Sequence, residues 1–162
     1  LQETETEEGA EIDPLFPIRW AEPFEQLRDH ADAYKARTGQ HPQIFLATLG
    51  AVADHTARAT FTANLFASGG IQAVNEGAPF ESDDELIAAF KDSGAVLACI
   101  CGSDAQYAEQ GARVAATLRE ARSDARIYLA GKPGDSEATL RDAGVDDFIH
   151  MGVDVIQKLE IA

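Results

Sequence analysis

Cysteine, methionine, tryptophan and basic charge are all scarce in this sequence. Of 162 residues, two are Cys, one is Met and one is Trp. Two cysteines cannot build the disulfide framework of a small secreted domain. Cys99 and Cys101 stand two apart in an apolar run, where a strand turns both to one face in poor geometry for a mutual bond. They read as reduced, buried packing residues of a cytoplasmic protein, with nothing adjacent to activate a thiol. Thirteen Lys and Arg stand against 28 Asp and Glu, a formal charge of −15. Such a chain repels phosphate backbones and anionic lipid, which argues against nucleic acid and membrane as partners. Apolar runs are short as well. None nears the roughly 20 residues that span a bilayer, and the acidic start is unlike a signal peptide. His30, His41 and His150 are scattered, with no Cys or carboxylate at ligand spacing, so no metal site is expected.

What is present divides into three parts. Residues 1–13 carry Glu3, Glu5, Glu7, Glu8, Glu11 and Asp13 with no base, and are expected to form an acidic flexible tail. Residues 14–41 form a connector arm. Its Pro14-Leu-Phe-Pro-Ile-Arg-Trp20 is extended and apolar, and a short helix follows from Glu22 to Tyr34 with Phe24, Leu27, Ala31 and Tyr34 at helical spacing. Such an arm packs on its own domain, or, the reading preferred from its exposed apolar residues, connects to a further domain or subunit.

From residue 42 to 162 short β-type runs alternate with helical stretches, the signature of parallel βαβ units. Strands are expected at Ile44–Thr48, Ile71–Val74, Ala95–Ile100, Arg126–Ala130 and Asp147–His150, and helices at about 55–68, 83–92, 104–122, 136–143 and 153–160. Gly69-Gly70 fits the stop of the first of these helices, Ser82 with Glu85 a capping box for the second, and Gly144 the end of the fourth. Five alternating units imply an α/β fold, a five-stranded doubly wound parallel sheet of flavodoxin-like order. Such a sheet binds ligands beyond the carboxyl ends of its strands, where His55 follows the first strand.

The segments Phe45-Leu-Ala-Thr-Leu-Gly50, Thr56-Ala-Arg-Ala-Thr-Phe61, Asn64-Leu-Phe66 with Gly69-Gly-Ile71, Tyr107-Ala-Glu-Gln110, Leu129-Ala-Gly-Lys132 and Ala21-Glu-Pro-Phe-Glu-Gln-Leu-Arg-Asp29 carry a family likeness. In them the chain resembles the cobalamin-binding domain of acyl-CoA mutases, and more closely that of the small, non-catalytic subunits of bacterial heterodimeric methylmalonyl-CoA mutase. The likeness covers nearly everything from Pro14 onward and implies the C-terminal part of a longer polypeptide. It also implies a large catalytic subunit as partner, with adenosylcobalamin bound there, and a complex that interconverts methylmalonyl-CoA and succinyl-CoA.

In cobalamin-binding members an Asp-x-His-x-x-Gly loop sets an imidazole under cobalt, a carboxylate orients the ring, and a Gly leaves room for the nucleotide tail. That motif falls on Ala53-Asp54-His55-Thr56-Ala57-Arg58, where only the histidine is kept. The family's Ser-x-Leu stretch after the third strand falls on Cys101-Gly102-Ser103, and its Gly-Gly pair after the fourth on Gly131-Lys132 before Pro133. His55, Ser103 and Gly131 are thus the candidate cofactor residues of a degenerate site. The resemblance implies that this domain binds no corrinoid and serves assembly, the alternative being a true module with His55 as the lower cobalt ligand. From the residues alone, Asp54 reads as an N-cap and His55 as a first-turn residue on the loop.

Three other patterns have plainer readings. Gly131-Lys-Pro-Gly134 lacks the spacing of a nucleotide-binding loop. Asp83-Asp84-Glu85 suits the first turn of a helix through its dipole. A phosphoacceptor of the receiver type needs carboxylates after the first and third strands, where this chain has Thr48-Leu49-Gly50 and Cys101-Gly102.

Overall fold

The computed structural model describes residues 22–74, 80–132 and 134–151. The tail 1–13, the Pro14–Trp20 segment and the helix expected at 153–160 lie outside them.

Five strands, β1 (Gln43–Thr48), β2 (Gln72–Val74), β3 (Leu97–Cys101), β4 (Arg126–Ala130) and β5 (Asp147–Ile149), pair in the order β2-β1-β3-β4-β5, every pair parallel. This is the doubly wound order expected. The register sets Ile44 beside Leu97 and Leu97 beside Arg126. The order in which strands are added reverses between β1 and β3, which stay parallel, so a crevice opens at their carboxyl ends.

Strand residues alternate between two buried faces. Ile44, Leu46, Cys99, Cys101, Tyr128 and Ile149 join one core with Ala59, Leu65 and Phe66 of α2 (Val52–Ser68). Phe45, Ala47, Ala98, Ile100, Ile127 and Leu129 join the other, with residues of α3 (Asp83–Ser93), α5 (Ala112–Ala121) and α6 (Glu137–Ala143). Burial on both faces explains the near-continuous apolar runs.

The helix preceding the sheet, α1 (Glu22–Thr38), runs a turn beyond Tyr34. Thr38 Oγ1 donates to Tyr34 O at 2.8 Å, and Gly39 breaks the helix at φ 80°. Phe24 and Leu27 pack on the α2 core, Ala31 is buried, and Arg28 Nε donates to Ser68 O at 3.1 Å. This helix therefore docks on the domain that follows it.

Two local expectations are corrected. Asp54 does not cap α2 from the N-cap position. The helix begins three residues before His55, and Asp54, in its first turn, accepts the Ala51 N–H at 2.9 Å. The long helix expected at 104–122 is interrupted: α4 (Asp104–Gln106) passes into a π turn, Tyr107–Gly111, before α5. Close packing accompanies this widened turn, since a Cβ on Gly111 would stand 3.2 Å from Leu140 Cδ2. The Ser82 cap holds, with its Oγ accepting the Glu85 N–H at 3.2 Å, while Glu85 Oε2 accepts from Glu81 N at 2.9 Å. Gly144 ends α6 as expected, at φ 124°.

Candidate functional site

Four segments meet at the carboxyl edge of the sheet: Thr48-Leu49-Gly50, Cys101-Gly102-Ser103, Ala130-Gly131-Lys132 and Ile149-His150-Met151, following β1, β3, β4 and β5. Into this edge α2 projects Arg58. Its Nη1 donates to Gly102 O at 2.7 Å and its Nη2 pairs with Asp104 Oδ1 at 2.8 Å. The guanidinium lies 5.2 Å from the centre of the Tyr107 ring. Burial pulls its pKa down, but the hydrogen bond to Asp104 and the Tyr107 contacts outweigh this and leave it above the ordinary value.

Tyr107 fastens the same edge from within. Its hydroxyl accepts the Gly102 N–H at 2.9 Å and reaches Ala130 O at 2.6 Å and Ile100 O at 3.1 Å, so one side chain ties β3, β4 and the loop after β3. Burial pushes the phenol well above its usual range.

Two of the three expected site residues flank Arg58. Gly131, at φ 141°, donates its N–H to Ile149 O at 2.7 Å, and a Cβ there would stand 3.4 Å from Arg58 Cζ. Ser103 caps α4, its Oγ accepting the Gln106 N–H at 3.3 Å. Arg58, Gly131, Lys132 and His150 line a cavity of about 320 Å³ at the ends of β4 and β5.

His55 stands apart from that cavity. It sits inside regular helix rather than on a loop, is 1% exposed, and among the described residues neither ring nitrogen has a hydrogen-bond partner. It borders a separate hollow of about 400 Å³ beside Val52, Thr56 and Ala59 on α2. Asp54, its neighbour, is committed to the cap of α2.

Sequence reasoning gave no role to Tyr107 or Asp104. Tyr107 belonged to a quoted motif, but its hydroxyl partners at Gly102 and Ala130 come from other segments. Cys99 and Cys101 are buried with their Sγ atoms 3.9 Å apart and Thr62 Oγ1 at 3.7 and 3.8 Å. Burial pushes the Cys99 thiol up, which fits packing residues. Among the described residues no group of three His, Cys, Asp or Glu is placed to hold a metal ion, and no helix is long and apolar enough to cross a membrane. The cavity at the opposite edge, about 390 Å³ between α1 and the starts of β1 and β3, holds none of the expected site residues.

No protein-family model matches the chain. Among solved structures it is similar to a CheY-like protein of Pseudomonas aeruginosa PAO1, with TM-score 0.57 and 23% identity over 74% of this chain and 94% of that one. It is also similar to a cobalamin-binding protein of Desulfitobacterium hafniense DCB-2, with TM-score 0.54 and 16% identity over 85% of this chain and 65% of that one. These likenesses establish the fold. In sequence it is 43% identical over 143 residues to the methylmalonyl-CoA mutase small subunit of Streptomyces virginiae, covering 88% of this chain and 22% of that protein. Identity is 40% over 152 residues to the probable small subunit of Mycobacterium tuberculosis H37Rv, covering 91% and 23%, and 35% over 144 residues to that of Propionibacterium freudenreichii, covering 87% and 21%. The chain spans about a fifth of the length of the curated relatives it matches. It is thus homologous, over most of its own length, to a portion of proteins named methylmalonyl-CoA mutase small subunit.

Proposed function

We propose that this domain has the architecture of a cobalamin-binding domain without the cofactor, and serves assembly of a mutase whose large subunit carries adenosylcobalamin and performs the rearrangement. The observation that carries the reading is Arg58. It occupies the carboxyl edge of the sheet with a guanidinium bound to Gly102 O and Asp104 and packed against Tyr107 and Gly131. A buried nucleotide tail needs that volume open, and displacing Arg58 would leave an unpaired charge and carbonyl behind.

The other requirements of a corrinoid site are also unmet. A metal-ligating imidazole is oriented by a partner on its second nitrogen, and among the described residues His55 has none. Ala53 offers no carboxylate, and Asp54 is engaged at Ala51. The residues present do not fit the group.

The alternative, a cobalamin module ligated through His55, draws on one observation: both ring nitrogens are buried and, among the described residues, unpaired beside a hollow. One experiment separates the two. Purified protein is mixed with hydroxocobalamin, freed of excess ligand, and its visible spectrum recorded. No retained corrinoid is expected. Stoichiometric retention, with a spectrum altered by His55→Ala, would establish the alternative.

Stability supplies a second reading of the same residue. An unpaired buried polar group costs about 1–3 kcal/mol, so His55→Leu is expected to raise the melting temperature of the ligand-free protein. A lower value in equilibrium denaturation would mean that the ring makes an interaction essential to the fold. The assembly role is tested on the full-length small subunit. Deletion of this domain is expected to weaken pairing with the large subunit, and undiminished pairing would refute the role.

A further inference from the structure

The cavity at the ends of β4 and β5 gathers positive charge in a chain that carries −15 overall. Three elements contribute. Arg58 enters from α2, Lys132 from the turn after β4, and His150 from the segment after β5, while the cavity's carboxylate is Asp104, whose side chain is 84% exposed. Arg58 is held in place by its bonds to Gly102 O and Asp104. Lys132 is exposed and makes no hydrogen bond or ion pair among the described residues. The Nδ1 of His150 lies 2.8 Å from Met151 O; when that nitrogen donates there, Nε2 is the atom left to face a ligand. Phe61, Ile149 and Met151 complete the wall with apolar surface, and Met151 is 84% exposed.

We infer that this cavity binds the phosphoryl group of a small phosphomonoester, with Arg58 and Lys132 as cationic donors, His150 as a third donor when protonated, and the organic body against Phe61 and Met151. Donors arriving from three elements suit a tetrahedral oxyanion, which accepts hydrogen bonds on several sides, better than a planar carboxylate. A volume of about 320 Å³ also leaves room for more than a phosphate ion. The place is where open α/β sheets receive ligands. The global charge opposes long polyanions such as nucleic acid, while a small dianion feels chiefly the local donors because salt screens the rest within about 8–10 Å. This reading is independent of the corrinoid question, which a visible spectrum answers separately.

The test titrates the purified protein with glycerol 1-phosphate and, in a parallel arm, inorganic phosphate, at constant ionic strength against chloride. Binding is followed by phosphorus NMR and by the shift in melting temperature. Saturable binding of both is expected, tighter for the ester, with affinity falling about tenfold in Lys132→Gln, as loss of one charge-assisted contact implies. Both Lys132→Gln and His150→Gln alter side chains outside the buried core, and an unchanged melting temperature in chloride verifies their folding. Absence of saturable binding, or binding that Lys132→Gln leaves unchanged, would overturn the assignment.

Discussion

Tyr107→Phe is expected to cost about 2–3 kcal/mol, because the hydroxyl alone is removed from a buried junction and the Gly102 N–H is left without its acceptor. The phenyl ring stays, so the Arg58 stacking at 5.2 Å and the contacts to Gly102 and Gly131 persist. Urea denaturation therefore reads the hydrogen bonds to Gly102 N, Ala130 O and Ile100 O separately from ring packing. A domain of this size loses roughly 2–4 °C of melting temperature per kcal/mol, so the variant melts roughly 5–10 °C lower. A difference under about 0.5 kcal/mol, the scale of a neutral surface change, would show that the hydroxyl is not built into the sheet edge.

The same residue gives this stability a pH signature. Burial raises the phenol's pKa in the fold above its unfolded value. The contribution is thus fully present below the ordinary tyrosine pKa of about 10 and is lost as pH rises beyond it. Tyr128, pushed up to about 12 by burial, adds to that decline. Wild-type stability is expected to fall above pH 10 more steeply than that of Tyr107→Phe, which lacks the ionising group.

Arg58 and Tyr107 together give the edge an internal closure. Tyr107 joins β3 to β4, and Arg58 bridges α2 to the loop after β3. Here a side chain supplies the contacts, which is how the sheet edge stays satisfied in the proposed cofactor-free role.

Legibility in the sequence followed the range of the interaction. Strands and their order were readable because short continuous apolar runs and turn residues act locally, as at Ile44–Thr48 and at the Ser82 cap. Asp54 misled by one turn because a carboxylate serves a helix start either as N-cap or, as found, from the first turn back to Ala51 N–H. The π turn at Tyr107–Gly111 left no periodic trace, since apolar spacing on either side remained helical. The bulk of Arg58 was visible from its place in the motif, but its partners at Gly102 and Asp104 lie more than 40 residues away. Cavities are likewise properties of the assembled edges and have no signature in spacing.

The docking of α1 was only one of two readings of the arm, and besides Phe24, Leu27 and the Arg28 bond it depends on one backbone position. Gly70 adopts φ 81°, and a Cβ there would stand 2.7 Å from Ala31 Cβ and 3.5 Å from Arg28 Cα. Gly39 has nearly the same φ, 80°, with no atom of the described residues within 4 Å of its Cβ position. Gly39→Ala therefore measures only the cost of an L-residue in the left-handed region, about 1–2 kcal/mol. Gly70→Ala adds the collision. Relieving it requires α1 to shift, loosening Phe24 and Leu27 over the core and the Arg28 bond to Ser68 O, for a total of about 3–4 kcal/mol. The difference between the two substitutions isolates the docking. Amide exchange should show α1 losing protection in Gly70→Ala while β3 and β4 keep theirs, whereas equal costs for the two variants would mean that α1 does not hold its place against Gly70.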